Sequence, residues 1–380
     1  MFPFIRSDLL QFQAYQSHPS GLSSHLDGLD RLDTNENPLD LPVPLKQTLA
    51  RAYVEDMQAN RYPDGNHGSL KEAIASYVNS SAPNHSTLNA STIDSTHISI
   101  GNGSDELIRS ILIATCLGQE GAILVANPTF SMYAITATTL GIPVVSVHRF
   151  EHDFAIDIAA AEAQLSCHQS PPIRVIFVVH PNSPTANALS LAELQWLRQI
   201  PEEILVVIDE AYFEFSQTSL INELDQHHNW IILRTLSKAF RLASHRVGYA
   251  IAHPELIKTL EKIRLPYNLS TFSLAAAQLV ITHHQELLGN IPEIIAERKR
   301  LWDLLHCHPR ITVWPSHANF LFLKLQGVNA YLNDQQLSIL CQTLRDRGTL
   351  VRQINHGIRI TIGTAAENQR TYSRLVLVHQ

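Results

Sequence analysis

Residues 204–209 read ILVVID: five apolar residues in a row, closed by an aspartate. A run that is apolar on both alternating faces does not suit a strand with one wet side. It suits a strand buried between two layers, as in parallel sheets. The same texture returns at HISIG (97–101), AILVA (122–126), PVVSV (143–147), RVIFVV (174–179), WIILR (230–234) and VGYAIA (247–252). Helical spacing separates several of these runs, as in DELIRSILIATC (105–116) and LAELQWLRQI (191–200). Such strands alternating with helices predict an α/β fold with a mostly parallel central sheet covered by helices.

Outward from this block the texture changes. The first forty-odd residues mix proline, aspartate and glycine and read as an irregular arm over 1–44. Helical spacing begins over 45–51 and returns in GSLKEAIASYV (68–78), and the polar stretch 79–96 reads as a surface loop. After about residue 270 long helical spacing takes over, followed by ANFLFLKL (318–325) and GIRITIG (357–363). A smaller α+β domain is therefore expected over 269–380, beside a large domain over 45–268. Two domains also suit a chain of 380 residues, which exceeds what one core usually fills.

Composition narrows the function. The net charge of −7, with histidines neutral, argues against a broad nucleic-acid or membrane surface. Cys116, Cys167, Cys307 and Cys341 are far apart and form no CxxC pair, so neither a disulfide framework nor a thiolate zinc site is expected. The paired histidines at 227–228, 283–284 and 306/308 lack ligand spacing and read as surface residues, with no metal implied. The start, MFPFIRSDLL, carries Arg6 and Asp8 and does not read as a signal peptide. A cytoplasmic protein is expected.

Ligands of open α/β sheets bind beyond the carboxyl ends of the strands, and the notable polar residues fall there. Asp209 closes a buried run and needs a partner, for which a pyridinium N–H or an arginine would serve. Tyr212 follows three residues later. In LRTLSKAFR (233–241), Thr235 and Ser237 project to one side and Lys238 to the other, with Arg246 close behind. Two hydroxyls and an arginine suit a phosphate; a lysine amine of lowered pKa suits an aldehyde. The plainer alternative is a lysine whose ammonium reaches water. In SIGNGSDELIRS (99–110), Gly101 and Gly103 read as a tight turn, and a helix starting at Ser104 or Asp105 would offer N–H groups to an anion. Glu106 stands where a dinucleotide fingerprint needs its third glycine, which weakens a nicotinamide reading. Together these residues form an inventory for pyridoxal 5′-phosphate.

The motifs DEAYFEF (209–215), LRTLSKAF (233–240) with Arg246, NGSDELI (102–108), NPTFSMY (127–133), RYPDG (61–65) and GIRITIGT (357–364) also resemble a known family. They are similar to those of the histidinol-phosphate aminotransferases, within the class I and II aminotransferases of PLP fold type I. The resemblance implies that Lys238 holds the cofactor covalently and shuttles a proton, that Asp209 holds the pyridine nitrogen protonated, and that Tyr212 meets the ring hydroxyl. It implies phosphate contacts from Gly103, Ser104, Asp105, Thr235, Ser237 and Arg246, and stacking by Phe130. Tyr62 would reach the other subunit's cofactor in a homodimer, and Tyr15, Arg352 and Arg359 would face the substrate. The implied reaction joins histidinol phosphate and 2-oxoglutarate. An aromatic-amino-acid aminotransferase, an O-phosphothreonine decarboxylase and a non-catalytic PLP-binding sensor are the other readings.

HPNSPTAN (180–187) departs from the family pattern. Ser183 stands where asparagine is usual, and Ala186 where glycine is. Either Asn182 or Ser183 must then serve the ring oxygen, and an alanine at 186 predicts a negative φ there.

Overall fold

The computed structural model describes residues 2, 4–6, 28–81, 92–167, 170–327 and 330–378. A two-residue strand, β1 (Asp30–Arg31), precedes the helices Val43–Glu55 and Gly68–Ser81. The seven apolar runs then form one sheet. Its strands are β2 (Ile98–Asn102), β3 (Ala122–Asn127), β4 (Val144–His148), β5 (Ile173–Val179), β6 (Leu205–Asp209), β7 (Trp230–Thr235) and β8 (Val247–Ala252). Their order is β2-β8-β7-β6-β5-β3-β4, and β8 runs antiparallel to both of its neighbours while the other pairs are parallel.

Burial explains the texture of the runs. Every residue of β6, β7 and β8 is buried. Alternate residues go to opposite faces, as the strand period requires. Val207, Ile231 and Leu233 pack with Leu107, Ile108 and Ile111 of the helix Gly103–Thr115, and Val206, Ile208 and Ile232 belong to the larger core on the other face. With no wet side, these strands can carry polar residues only at their ends.

The remaining strands make a second sheet. β9 (Ile311–Val313), β10 (Phe320–Leu325), β12 (Arg352–Ile354) and β13 (Gly357–Thr361) are ordered β12-β13-β10-β9, all antiparallel. The short strand β11 (Thr349–Leu350) pairs in parallel with β1. The expected arm is thus partly regular, because residues 30–31 add a strand beside the C-terminal unit. Asp30 anchors that strand: its carboxylate accepts from the Arg370 and Arg374 guanidinium groups on the helix Ala365–Val378.

Two local expectations need correcting. The helix Gly68–Ser81 covers the start of the stretch expected as a loop, and Ser95–His97 form a short 3₁₀ turn at its end. Residues 82–91 lie outside the described residues. Gly101 belongs to β2 rather than to a turn; a Cβ there would stand 2.7 Å from Leu107 Cγ, so glycine lets the following helix pack onto its own strand. The helix Thr271–Thr282 packs on Val43–Glu55 and Gly68–Ser81, across the division expected at residue 268. Among the described residues, no helix is long and apolar enough to cross a membrane.

Candidate active site

Beyond the carboxyl ends of β5, β6 and β7 the sheet opens on a cavity of about 210 Å³. Its lining includes Ser104, Asp105, Phe130, Ser183, Asp209, Tyr212, Thr235, Ser237, Lys238, Arg246, Arg352 and Arg359, twelve of the residues picked from sequence.

At one end is an anion cradle. β7 ends at Thr235, whose Oγ1 donates to Ser237 Oγ at 3.0 Å, so both hydroxyls face one way. Arg246, in the left-handed region at φ 54°, turns its guanidinium back toward them. Nη1 donates to Ser237 Oγ at 3.5 Å and Nη2 to Asp105 Oδ2 at 3.2 Å. The helix Gly103–Thr115 points its amino end here, where first-turn N–H groups lack partners inside the helix. The helix begins one residue earlier than expected, at Gly103. Two glycines make the approach possible. A Cβ on Gly103 (φ 70°) would lie 2.6 Å from Arg246 Nη2, and one on Gly248 would lie 2.5 Å from the Ser104 nitrogen. Gly248 was not picked from sequence; its signal was the glycine inside the strand-like VGYAIA.

Asp209 lies at the sheet centre, 3% exposed. Its Oδ2 accepts from Tyr133 Oη at 2.7 Å and its Oδ1 from the Ala211 N–H at 3.0 Å. Burial nevertheless pushes the carboxyl up to about 6, against the lowering effect of those two donors. Such a carboxylate still calls for a cationic partner. Tyr133, stacked on Phe177 with centroids 4.5 Å apart, is a site residue that sequence reading passed over within the quoted NPTFSMY.

Lys238 projects into the cavity, and its Nζ donates to the Thr34 carbonyl at 2.9 Å. Burial lowers its ammonium to about 8, assisted by the positive charges of Arg359 and Arg246 and opposed by Glu36 and Asp105. That raises the neutral fraction near pH 7 to about a tenth, and the neutral amine is the form that attacks an aldehyde.

The opposite wall is a strap, residues 33–35, which sequence reading did not place in the site. The Asp33 carbonyl accepts from Arg359 Nη2 at 2.7 Å. Asn35, 1% exposed and at φ 57°, donates through Nδ2 to Tyr212 Oη at 2.9 Å. Burial raises the Tyr212 phenol, while Arg359, Asn35 and a hydrogen bond from Ser183 act to lower it. Arg352 and Arg359 are direct register partners across β12 and β13, so two guanidinium groups stand at this end.

Two adjacent residues separate cleanly. Asn182 is wholly buried, with its amide donating to Pro128 O and Thr185 Oγ1 and accepting from Thr129 Oγ1. Ser183 faces the cavity. Ala186 has φ +64°, which overturns the negative value expected for alanine. The turn is over-determined by backbone bonds: Ala186 N–H donates to Asn182 O at 2.7 Å, Asn182 N–H to Asn187 O at 2.8 Å, and His317 N–H to Ala186 O at 2.8 Å. These bonds offset the roughly 1–2 kcal/mol that a left-handed alanine costs. Tyr62 stands away from the cavity, 80% exposed and stacked on Tyr267 at 4.5 Å. Tyr15 lies outside the described residues.

The donor set fits pyridoxal phosphate at each end: a cradle that only glycine permits, a buried carboxylate for a ring nitrogen, a phenol for a ring oxygen and an amine for an aldehyde.

Residues 30–375 match the family described as aminotransferase class I and II. The chain is 60% identical over 380 residues to the histidinol-phosphate aminotransferase of Trichodesmium erythraeum, covering 99% of both chains. It is 58% identical to histidinol-phosphate aminotransferase 2 of a Nostoc strain, covering 99% of this chain and 97% of the relative. Among solved structures it resembles histidinol-phosphate aminotransferase from Sinorhizobium meliloti in complex with pyridoxal-5′-phosphate. That likeness has a TM-score of 0.80 at 21% identity and covers 100% of this chain and 98% of the other.

Proposed function

The chain belongs to the class I and II aminotransferases, and from that premise we propose that it transfers an amino group between L-histidinol phosphate and 2-oxoglutarate, using pyridoxal 5′-phosphate. The observation that carries this reading is the charge layout of one cavity. A reactive lysine lies between an anion cradle at Arg246 and a second cationic end at Arg352 and Arg359. The cradle takes the cofactor phosphate, and the second end is left for an anionic substrate.

When bound, the cofactor supplies an aldehyde to receive the amino group and a protonated ring that draws electrons from the neighbouring carbon. Ser104, Thr235, Ser237 and Arg246, with the helix N–H groups that follow Gly103, would hold the phosphate. Asp105 orients Arg246 through their ion pair. Phe130 would pack against the ring, Asp209 would keep the ring nitrogen protonated, and Tyr212 would meet the ring oxygen. Lys238 would hold the cofactor through its aldehyde, and its Nζ, when free, would carry the proton that amino transfer requires to be moved. Its lowered pKa suits both duties.

Histidinol phosphate carries its phosphate ester on the carbon where glutamate carries its α-carboxylate. One planar guanidinium can pair with either anion through two hydrogen bonds, and we assign that duty to Arg359. Arg352 and Tyr15 supplement it for the larger phosphate. Tyr62, exposed and away from its own cavity, serves the second subunit's cofactor in a homodimer. We assign the protein to the cytoplasm, where substrates of this class are metabolised.

Rapid mixing of the cofactor-loaded protein with histidinol phosphate, phenylalanine or O-phosphothreonine tests the reading. Histidinol phosphate should deplete the visible band fastest, and 2-oxoglutarate should restore it. Faster reaction with phenylalanine, or carbon dioxide release from phosphothreonine, would transfer the assignment to one of the other activities of this fold.

A further inference from the structure

Asn35 lies outside the set of residues that sequence reading picked, yet its hydrogen bonds leave no freedom. Its backbone N–H donates to Thr361 Oγ1 at 2.9 Å, and its own carbonyl accepts from Asn319 Nδ2 at 3.1 Å. Because the Thr361 hydroxyl oxygen accepts that N–H, its hydrogen is free to donate to Asn35 Oδ1, 3.2 Å away. The amide is thereby fixed with Nδ2, a donor, toward Tyr212 Oη.

Ser183 is the second influence on the same phenol. Arg359 Nη1 approaches Ser183 Oγ at 3.5 Å, so Ser183 accepts there and has its own hydrogen to give, and it acts to lower the Tyr212 phenol. A phenol oxygen that accepts twice must donate its single O–H elsewhere. The remaining direction is the cavity that Tyr212 lines.

We propose that Asn35 is a positioning residue, held by Thr361 on β13, that with Ser183 forces the Tyr212 hydroxyl to act only as a donor toward the ring oxygen of the cofactor. Ser183, standing where the family pattern has asparagine, thus acts through Tyr212, relaying the polarity of Arg359. The strap also links the two units: a C-terminal threonine sets the hydrogen-bond sense of a tyrosine on the large sheet.

The inference rests on the cofactor reading, and the experiment separates the two. The readout is the pH midpoint of the visible band of the loaded protein. A donor to the ring oxygen stabilises its negative charge and holds that midpoint low. Asn35→Asp presents an acceptor to Tyr212, draws the hydroxyl away and should raise the midpoint by about one unit, as for loss of a hydrogen bond to a charged oxygen. Thr361→Val frees the amide to turn and should raise it less. In the Tyr212→Phe background, which itself has a raised midpoint, Asn35→Asp should add less than half of its shift in the parent.

A merely structural role would change the fraction loaded and leave the midpoint of that fraction in place. Unmoved midpoints in Asn35→Asp and Thr361→Val, beside a raised one in Tyr212→Phe, would overturn the inference and spare the cofactor reading. An undiminished Asn35→Asp shift in the Phe background would overturn it too, by assigning the effect to charge alone. A parent protein that acquires no visible band would overturn both.

Discussion

The two walls of the cavity are built on different principles. The sheet wall presents Asp209, Thr235, Ser237 and Lys238, side chains at or just past the ends of strands buried on both faces. The strap wall, 33–35, has no regular structure and works largely through main-chain carbonyls: Thr34 O for Lys238, Asp33 O for Arg359. One wall places charge that it cannot solvate; the other orients groups that belong to its neighbours. Substitutions on the first should therefore damage chemistry outright, and those on the second should retune it.

Lys238→Ala tests the strongest form of the contrast. It should abolish turnover and the borohydride-reducible visible band; retention of that band would show the amine to be a bystander. Asp209→Asn comes next. Removing a buried charge aimed at the ring nitrogen should cost on the order of a thousandfold in kcat, and a loss under about tenfold would mean misassignment.

The sheet wall was legible because its signal is compositional. An apolar run leaves a polar residue no place except the end, so Asp209 and Thr235 could be found by counting. Lys238 and Arg246 were marked by the hydroxyls of Thr235 and Ser237 beside them and by the family resemblance of LRTLSKAF. Asn35 and the strap could not be found that way. Carbonyl oxygens carry no residue identity, and Asn35 matters through an amide orientation set by Thr361, 326 positions away. Tyr133 stood in a quoted motif, but only the folded sheet brings it to Asp209. Ala186 shows the limit in reverse: the intrinsic preference of alanine was read correctly, and three backbone hydrogen bonds overrode it.

The arginine end belongs to the strap side and should show graded effects. Arg359→Lys keeps the charge but loses the planar fork, and should impair the half-reactions with histidinol phosphate and with glutamate alike. Arg352→Ala should weaken histidinol phosphate by one charge-assisted contact, roughly 1.5–3 kcal/mol, and glutamate less. Single-turnover rates with each donor separate the two; normal reaction of both variants with histidinol phosphate would place its phosphate elsewhere.

Stability sharpens the same comparison. The folded-state pKa of Asp209, about 6, stands above the ordinary 3.8, so the folded cofactor-free protein binds this proton more tightly than the unfolded chain. Its contribution therefore worsens as pH rises from about 4 to 6 and stays unfavourable above, by up to about 3 kcal/mol. Asp209→Asn should make the cofactor-free protein more stable at pH 8 and nearly unchanged at pH 4, measured by urea unfolding. The opposite pH trend would contradict the burial argument. At the small end, Ser183→Asn should lower the pH midpoint of the visible band by a fraction of a unit, whereas Asn182→Ala, acting behind the wall, should leave it in place.

Among the seven lysines of the chain, Lys46, Lys71, Lys258, Lys299 and Lys324 are engaged with carboxylates, and Lys238 faces the cavity. The central claim is that both walls converge on the amine of Lys238. Borohydride reduction of the loaded protein, followed by peptide mapping, tests it directly. The account predicts one pyridoxyl label per chain, on the peptide that contains Lys238. A label on any other lysine, with Lys238 unmodified, would contradict it.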